Sequence, residues 1–142
     1  MSPIEEFALR LGAAVRRPAS WWQLIKFGLV GVSGYIINLG VFALLNDTFG
    51  IHYSLAAVGA FCVAVSNNFF WNRHWTFAAG DGHAGFQAVR FFTISVVALA
   101  INLVVLELLV AWASFGELPA QAVAVAVAMP FNFLGNKLWA FA

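Results

Sequence analysis

Two segments of this 142-residue chain carry the same short pattern, NFFWNRHWTF over 68–77 and NFLGNKLWAF over 132–141. In each, an amide precedes a cation, Asn72 before Arg73 and Asn136 before Lys137, with aromatic residues close by. Arginine offers a planar fork of donors suited to a phosphate, and a neighbouring amide can add another donor. The plainer role for these cations is to snorkel to a membrane interface and fix orientation, and that role alone accounts for Lys26 and Arg90. Further polar side chains sit inside apolar stretches. Asn68 and Asn132 lie four residues before the amide–cation pairs, and Asn38 and Asn102 lie halfway along their own segments. Polar groups at such depth face protein or a water-filled path, so these amides either bond between helices or line a polar route. Glu107 either reaches water near the end of its segment or titrates and hydrogen-bonds within the membrane.

Catalytic sets are missing from the pattern. No Ser/His/Asp arrangement or paired carboxylates are visible, so no enzymatic role is expected. His52, His74 and His83 have no Cys or carboxylate at ligand spacing, and Cys62 stands alone, so neither a metal site nor a disulfide is expected. Gly28, Gly31 and Gly34 recur by three without the strand–loop–helix context of a phosphate loop, and read as sites of close packing or bending. No cofactor is implied.

The elements that must position these residues follow from composition. Hydrophobic residues make up 63% of the chain and charged ones 9%, far from the roughly 45–50% and 25% of soluble domains. Seven Lys and Arg make no basic surface for nucleic acid. Fifteen Phe and six Trp exclude a disordered chain. What remains is an all-α integral membrane protein. A spanning helix needs about 20 mainly apolar residues. Four segments qualify, over about 26–46, 54–72, 90–112 and 118–137. The links 47–53 and 113–117 are tight and make two helical hairpins, whereas 73–89, with Gly80, Asp81, Gly82 and Gly85, reads as a flexible polar loop. Pro130 is expected to kink the fourth helix. Before the first span, Ile4, Phe7, Leu11 and Val15 share one side of a helix, which predicts an amphipathic helix on the membrane surface over 1–23, the alternative being a short disordered tail. A secretory signal is not expected, given Glu5-Glu6 and no compact apolar core before Arg16-Arg17.

Laying residues 26–77 over 90–141 needs one shift of 64 and no gaps, and 17 of the 52 positions are identical. Each unit holds two helices, so the repeat is parallel, with its pseudo-twofold axis along the membrane normal. Ala56, Ala60, Ala64, Asn68 and Asn72 recur as Ala120, Ala124, Ala128, Asn132 and Asn136. Small residues every four positions permit close helix approach in lipid. All Lys and Arg lie in the N-terminal segment, around the middle loop or at the end of the last helix, and the short links carry only Asp47 and Glu117. The positive-inside rule then places both termini and the middle loop in the cytoplasm.

Over about residues 24–142 the sequence resembles the GtrA-like family of four-helix membrane proteins. The matching features are KFGLVGVSGYIINLGVFALL in the first helix, NFFWNRHWTF after the second, and their weaker echoes in the second repeat. The resemblance implies an inner-membrane protein that translocates a polyprenyl-phosphate-linked sugar for cell-surface polysaccharide synthesis or modification. Its alternative is a non-transporting anchor or accessory subunit of a polyprenyl-phosphate glycosyltransferase. On this reading Arg73, Asn72, Lys137 and Asn136 hold the phosphate, while Asn68, Asn132, Asn38, Asn102 and Glu107 line the sugar path. Four helices can hardly enclose a sugar, so a homodimer or a glycosyltransferase partner is expected in addition to membrane lipid. Ala140 in place of the Thr of WTF, and Lys137 in place of Arg, depart from the pattern in the second repeat. A small proton-coupled exporter is a third class, for which Glu107 lies in the wrong helix and too near the surface.

Overall fold

The computed structural model describes the backbone of all 142 residues and the side chains of all but Tyr53, Glu117 and Leu118. All regular structure among the described residues is helical. Helix α1 spans Pro3–Arg16, α2 Pro18–Ala43, α3 Tyr53–Trp71, α4 Ala84–Glu107 and α5 Glu117–Gly135. A five-residue π-helical turn continues each of the last four: π1 Leu44–Thr48, π2 Asn72–Thr76, π3 Leu108–Trp112 and π4 Asn136–Ala140. Among the described residues, three helical stretches are long and apolar enough to cross a membrane, Pro18–Thr48, Ser54–Thr76 and Ala84–Trp112. The chain forms two compact units, Met1–Gly80 and Asp81–Ala142, with α2 packed on α3 in the first and α4 on α5 in the second.

Local chemistry sets the helix ends. Ser2 accepts from the Glu5 amide at 3.2 Å while Glu5 accepts from the Ser2 amide at 2.8 Å, a reciprocal cap ahead of Pro3. Arg17, next to Pro18, is extended, which separates α1 from α2. Two histidines serve as caps: Nδ1 of His52 accepts from the Ser54 amide, and Nδ1 of His83 accepts from Phe86. Each π turn closes with an amide bonded to the carbonyl five residues back, as in Phe77 to Asn72 at 2.9 Å and Phe141 to Asn136 at 2.8 Å. Gly50, Ala78 and Ser114, which follow π1, π2 and π3, take positive φ and turn the chain away from the helix axis.

Three boundaries differ from expectation. Helix α2 begins at Pro18 instead of 26, α4 begins at Ala84 instead of 90, and the middle link shrinks from 73–89 to 77–83. Lys26 and Arg90 mark the ends of the apolar runs, but a helix can continue past the hydrocarbon into the polar interface. Pro18–Thr48 is 31 residues, about 46 Å of helix against a core of about 30 Å. The Glu117 side chain of the 113–117 link lies outside the described residues.

Each unit is held by one seam. Ala56 and Ala60, like Ala120 and Ala124, are wholly buried, and Ala64 and Ala128 nearly so. Phe27, Val30 and Gly34 of α2, and Phe91 and Ala98 of α4, are also buried. Large apolar residues on the other faces, among them Leu29, Ile36, Val58, Leu99 and Phe131, are exposed, as a lipid solvent allows. A leucine at Ala60 or Ala124 has no space to occupy. Ala60→Leu and Ala124→Leu should each cost about 1–3 kcal/mol, the usual penalty of overpacking. Thermal melting of the purified variants in detergent checks this, and an unchanged midpoint for both would place the seam elsewhere.

Candidate functional site

The repeat of 64 is written into the geometry of one helix end. In unit 1 the Lys26 ammonium lies over the Trp22 and Trp75 rings, at 5.7 and 5.3 Å from their centroids. In unit 2 the Arg90 guanidinium lies 5.6 Å from the Trp139 centroid and donates to the Trp139 carbonyl at 3.3 Å. Next to each cation an aromatic pair closes the turn. Phe27 meets Phe77 at 6.3 Å and 58°, and Phe91 meets Phe141 at 6.0 Å and 56°. Lys26 and Arg90 are therefore more than interfacial charges: the second helix of each unit reaches them with a tryptophan, a contact worth about 0.5–2 kcal/mol.

The amide–cation pairs split in two directions. Asn72 and Asn136 are buried at 2% and 0% exposure, whereas Arg73 and Lys137 are half-buried. Consecutive residues of a helical turn point in different directions around the axis, so the amide turns inward and the cation outward. Arg73 donates through Nη2 to the Gly80 carbonyl at 2.9 Å and lies 3.4 Å from Nε2 of His74. It thus ties π2 to the link that follows. The Oδ1 atoms of Asn72 and Asn136, and Oγ1 of Thr76, are buried without a partner among the described residues.

The remaining candidates divide the two units. Asn136 Nδ2 donates to the Asn132 carbonyl at 2.8 Å and to its Oδ1 at 2.9 Å. In unit 1 the equivalent Asn68 turns to α2 instead, filling the space a side chain on Gly34 would need. Unit 2 has Ala98, buried, at that place, so Asn132 turns down its own helix. Asn67 Nδ2 donates to Ser33 Oγ across the α2–α3 seam at 3.2 Å and to Asn68 Oδ1 at 3.4 Å. Asn38 and Asn102 are half-buried, and Glu107 ends α4 in an exposed position, as Ala43 ends α2. Sequence reasoning missed Gln23 and Gln87, which extend the same shift three residues upstream, with Gln87 buried. It also missed Ser33 and Asn67, whose pairing no periodicity announces. Among the described residues no three His, Cys, Asp or Glu side chains gather as a metal site would require.

The GtrA/DPMS transmembrane-domain pattern matches residues 26–141. The chain belongs to that family. An uncharacterized membrane protein YngA of Bacillus subtilis (strain 168) is 32% identical over 116 residues, covering 82% of this chain and 77% of that protein. A dolichol-phosphate mannosyltransferase of Pyrococcus furiosus is 42% identical over 55 residues, 39% of this chain but only 15% of the enzyme. The chain thus aligns with a small part of that enzyme's length. The matched GtrA/DPMS region starts at Lys26 and ends at Phe141, so it opens and closes on the cation–aromatic clusters.

Within this membrane domain the Gly34–Asn68 contact is open to a direct test. A Cβ at position 34 would overlap Asn68 Oδ1 and sit 2.7 Å from its Nδ2, both at the end of a mobile side chain. Gly34→Ala should therefore swing Asn68 toward Asn72, as Asn132 swings toward Asn136. Alanine gains about 0.8–1 kcal/mol in helix propensity, which offsets the lost contact, so stability should change by under about 1 kcal/mol. Gly34→Val, which cannot be absorbed in this way, should lose about 1–3 kcal/mol. Melting midpoints of the two variants in detergent separate these outcomes.

Proposed function

We propose that this protein binds a polyprenyl-phosphate-linked sugar at the cytoplasmic face of the membrane and carries its head group across. The observation behind the reading is the duplicated cation–aromatic cluster at one helix end of each unit, in a chain of the GtrA/DPMS membrane family. Four spans, with α5 and π4 as the last, put every Lys and Arg of the membrane domain on one side, and the positive-inside rule makes that side cytoplasmic. Helix α1 lies on the same surface, its exposed Ile4, Phe7 and Val15 in the interface.

A phosphate settles at the cation end of a unit, where Arg73 offers the planar fork in unit 1 and Lys137 a point charge in unit 2. Asn72 and Asn136, being buried, contribute by fixing the turns that carry the two cations. Asn38, Asn102, Asn68, Asn132 and Glu107 supply the polar groups that a hydroxyl-rich head group meets on its way through about 30 Å of hydrocarbon. No residue acts as a catalyst. Two copies, or one copy with a glycosyltransferase, complete the enclosure. The partial likeness to a mannosyltransferase favours a second reading, a membrane subunit that anchors such an enzyme without transport.

Purified protein in vesicles with a radiolabelled polyprenyl-phosphate sugar separates the two readings. Protein-dependent movement between leaflets supports translocation, and clean reconstitution without movement supports the anchor. Arg73→Lys keeps the charge and loses the fork, so binding of the probe should weaken about tenfold, the loss of one charge-assisted hydrogen bond of about 1.5 kcal/mol. Lys137→Arg should bind as well as the parent. Equal binding by all three proteins would return Arg73 to membrane anchoring. In a Cys62→Ser background, cysteines in 77–83 should react with impermeant reagent from the cytoplasmic side alone, and cysteines in 49–52 from the opposite side alone. Labelling of both from one side would defeat the four-span topology.

A further inference from the structure

The two units agree at their ends and disagree in one place along the seam. Ser33, Gly34 and Asn67 of unit 1 become Val97, Ala98 and Phe131 of unit 2. The three positions are neighbours in space in unit 1: Asn67 bonds Ser33 at 3.2 Å, and Asn68, to which Asn67 also donates, rests on Gly34. Two of the changes from unit 1 to unit 2 replace a polar side chain with an apolar one, and the third puts a methyl group where Asn68 rests.

The patch is only partly satisfied from within. Both Nδ2 hydrogens of Asn67 are used, and Ser33 Oγ donates to the Val30 carbonyl at 2.7 Å. Asn67 Oδ1 and Asn68 Nδ2 bond no described residue, which leaves an open acceptor beside an open donor on half-buried side chains. A hydroxyl group both donates and accepts, so it fits that pair. A phosphate carries acceptors only, and an isoprenoid tail carries neither. Ser33 is seven residues, two turns, beyond Lys26 on the same edge of α2, about 10 Å further along the axis. Lys26 itself is held by two aromatic faces and spends none of its donors on a described residue.

We propose that the Ser33–Asn67–Asn68 patch of unit 1 is the subsite for the sugar hydroxyls of the lipid-linked head group, with Lys26 at its phosphate end, and that unit 2 lacks such a subsite. This rests on the function proposed above and makes it asymmetric: the repeat duplicates the anion end, and one half alone recognises the sugar. The two halves thus take unequal roles in passing the head group.

The test uses the full chain in lipid nanodiscs with two probes, undecaprenyl phosphate glucose and undecaprenyl phosphate, read by tryptophan fluorescence. The parent protein should bind the sugar-bearing lipid about tenfold more tightly than the bare phosphate. Ser33→Val with Asn67→Leu, which gives unit 1 the character of unit 2, should bind both lipids within about twofold. A variant that keeps the tenfold preference overturns the subsite and leaves the proposed function standing. A parent that binds neither probe overturns the proposed function, and the subsite with it. A parent that binds both alike overturns the subsite alone. A second measurement does not depend on the double variant folding. In a Cys62→Ser background, Ser33→Cys should react with a small water-soluble methanethiosulfonate faster than Val97→Cys, and the sugar-bearing lipid should slow it where the bare phosphate does not. Equal rates at the two positions, or equal protection by both lipids, would overturn the assignment.

Discussion

Close approach of two helices without a hydrophobic driving force is the constraint on which the rest of this molecule depends. Lipid is as apolar as leucine, so burying large side chains between helices gains little, and contact area has to come from small ones. The chain meets this with alanine at every fourth position of α3 and α5, and all six of those alanines are buried, four of them completely. Their spacing also fixes rotation. Once Ala56, Ala60 and Ala64 face α2, Asn68 and Asn72 must face it too, because the same step of four continues. The amides are thereby placed by the packing seam, and the cation that follows each inner amide is turned outward by the same geometry.

From this follows the contrast between the helix ends, where the units match, and the middle of the seam, where they differ. At the ends the matching parts are a π turn, an inward Asn, a phenylalanine pair and a cation against a tryptophan. In the middle a single hydrogen atom decides much. Gly34 admits the Asn68 amide, and the methyl of Ala98 occupies the corresponding place in unit 2 and sends Asn132 down its own helix. The polar contents of the two seams diverge from that point.

The sequence carried the seam legibly because periodicity and duplication state the same thing twice. Steps of four named the buried alanines, and the shift of 64 carried their register to the second unit. Helix starts were less legible, since Lys26 and Arg90 end the apolar runs without ending the helices, and charge alone does not tell that α2 reaches back to Pro18 and α4 to Ala84. Asn72 and Arg73 read as one motif in the sequence, but the rotation of the helical turn separates what adjacency had joined, the amide buried and the cation half-buried. Ser33 and Asn67 were invisible for another reason: a hydrogen bond between residues 34 positions apart has no local signature, and their absence from unit 2 is informative only once the two helices are in contact.

The manner in which the end cations are held bears on what they can do. A carboxylate partner would position a lysine and cancel most of its charge at the same time. An aromatic face positions it through a quadrupole, which carries no net charge, so the field of the cation survives beyond the ring. Lys26 between Trp22 and Trp75, and Arg90 over Trp139, are restrained in this way. An anionic group approaching that end of either unit would meet a cation already oriented, without first having to displace a carboxylate of the described residues from Lys26 or Arg90.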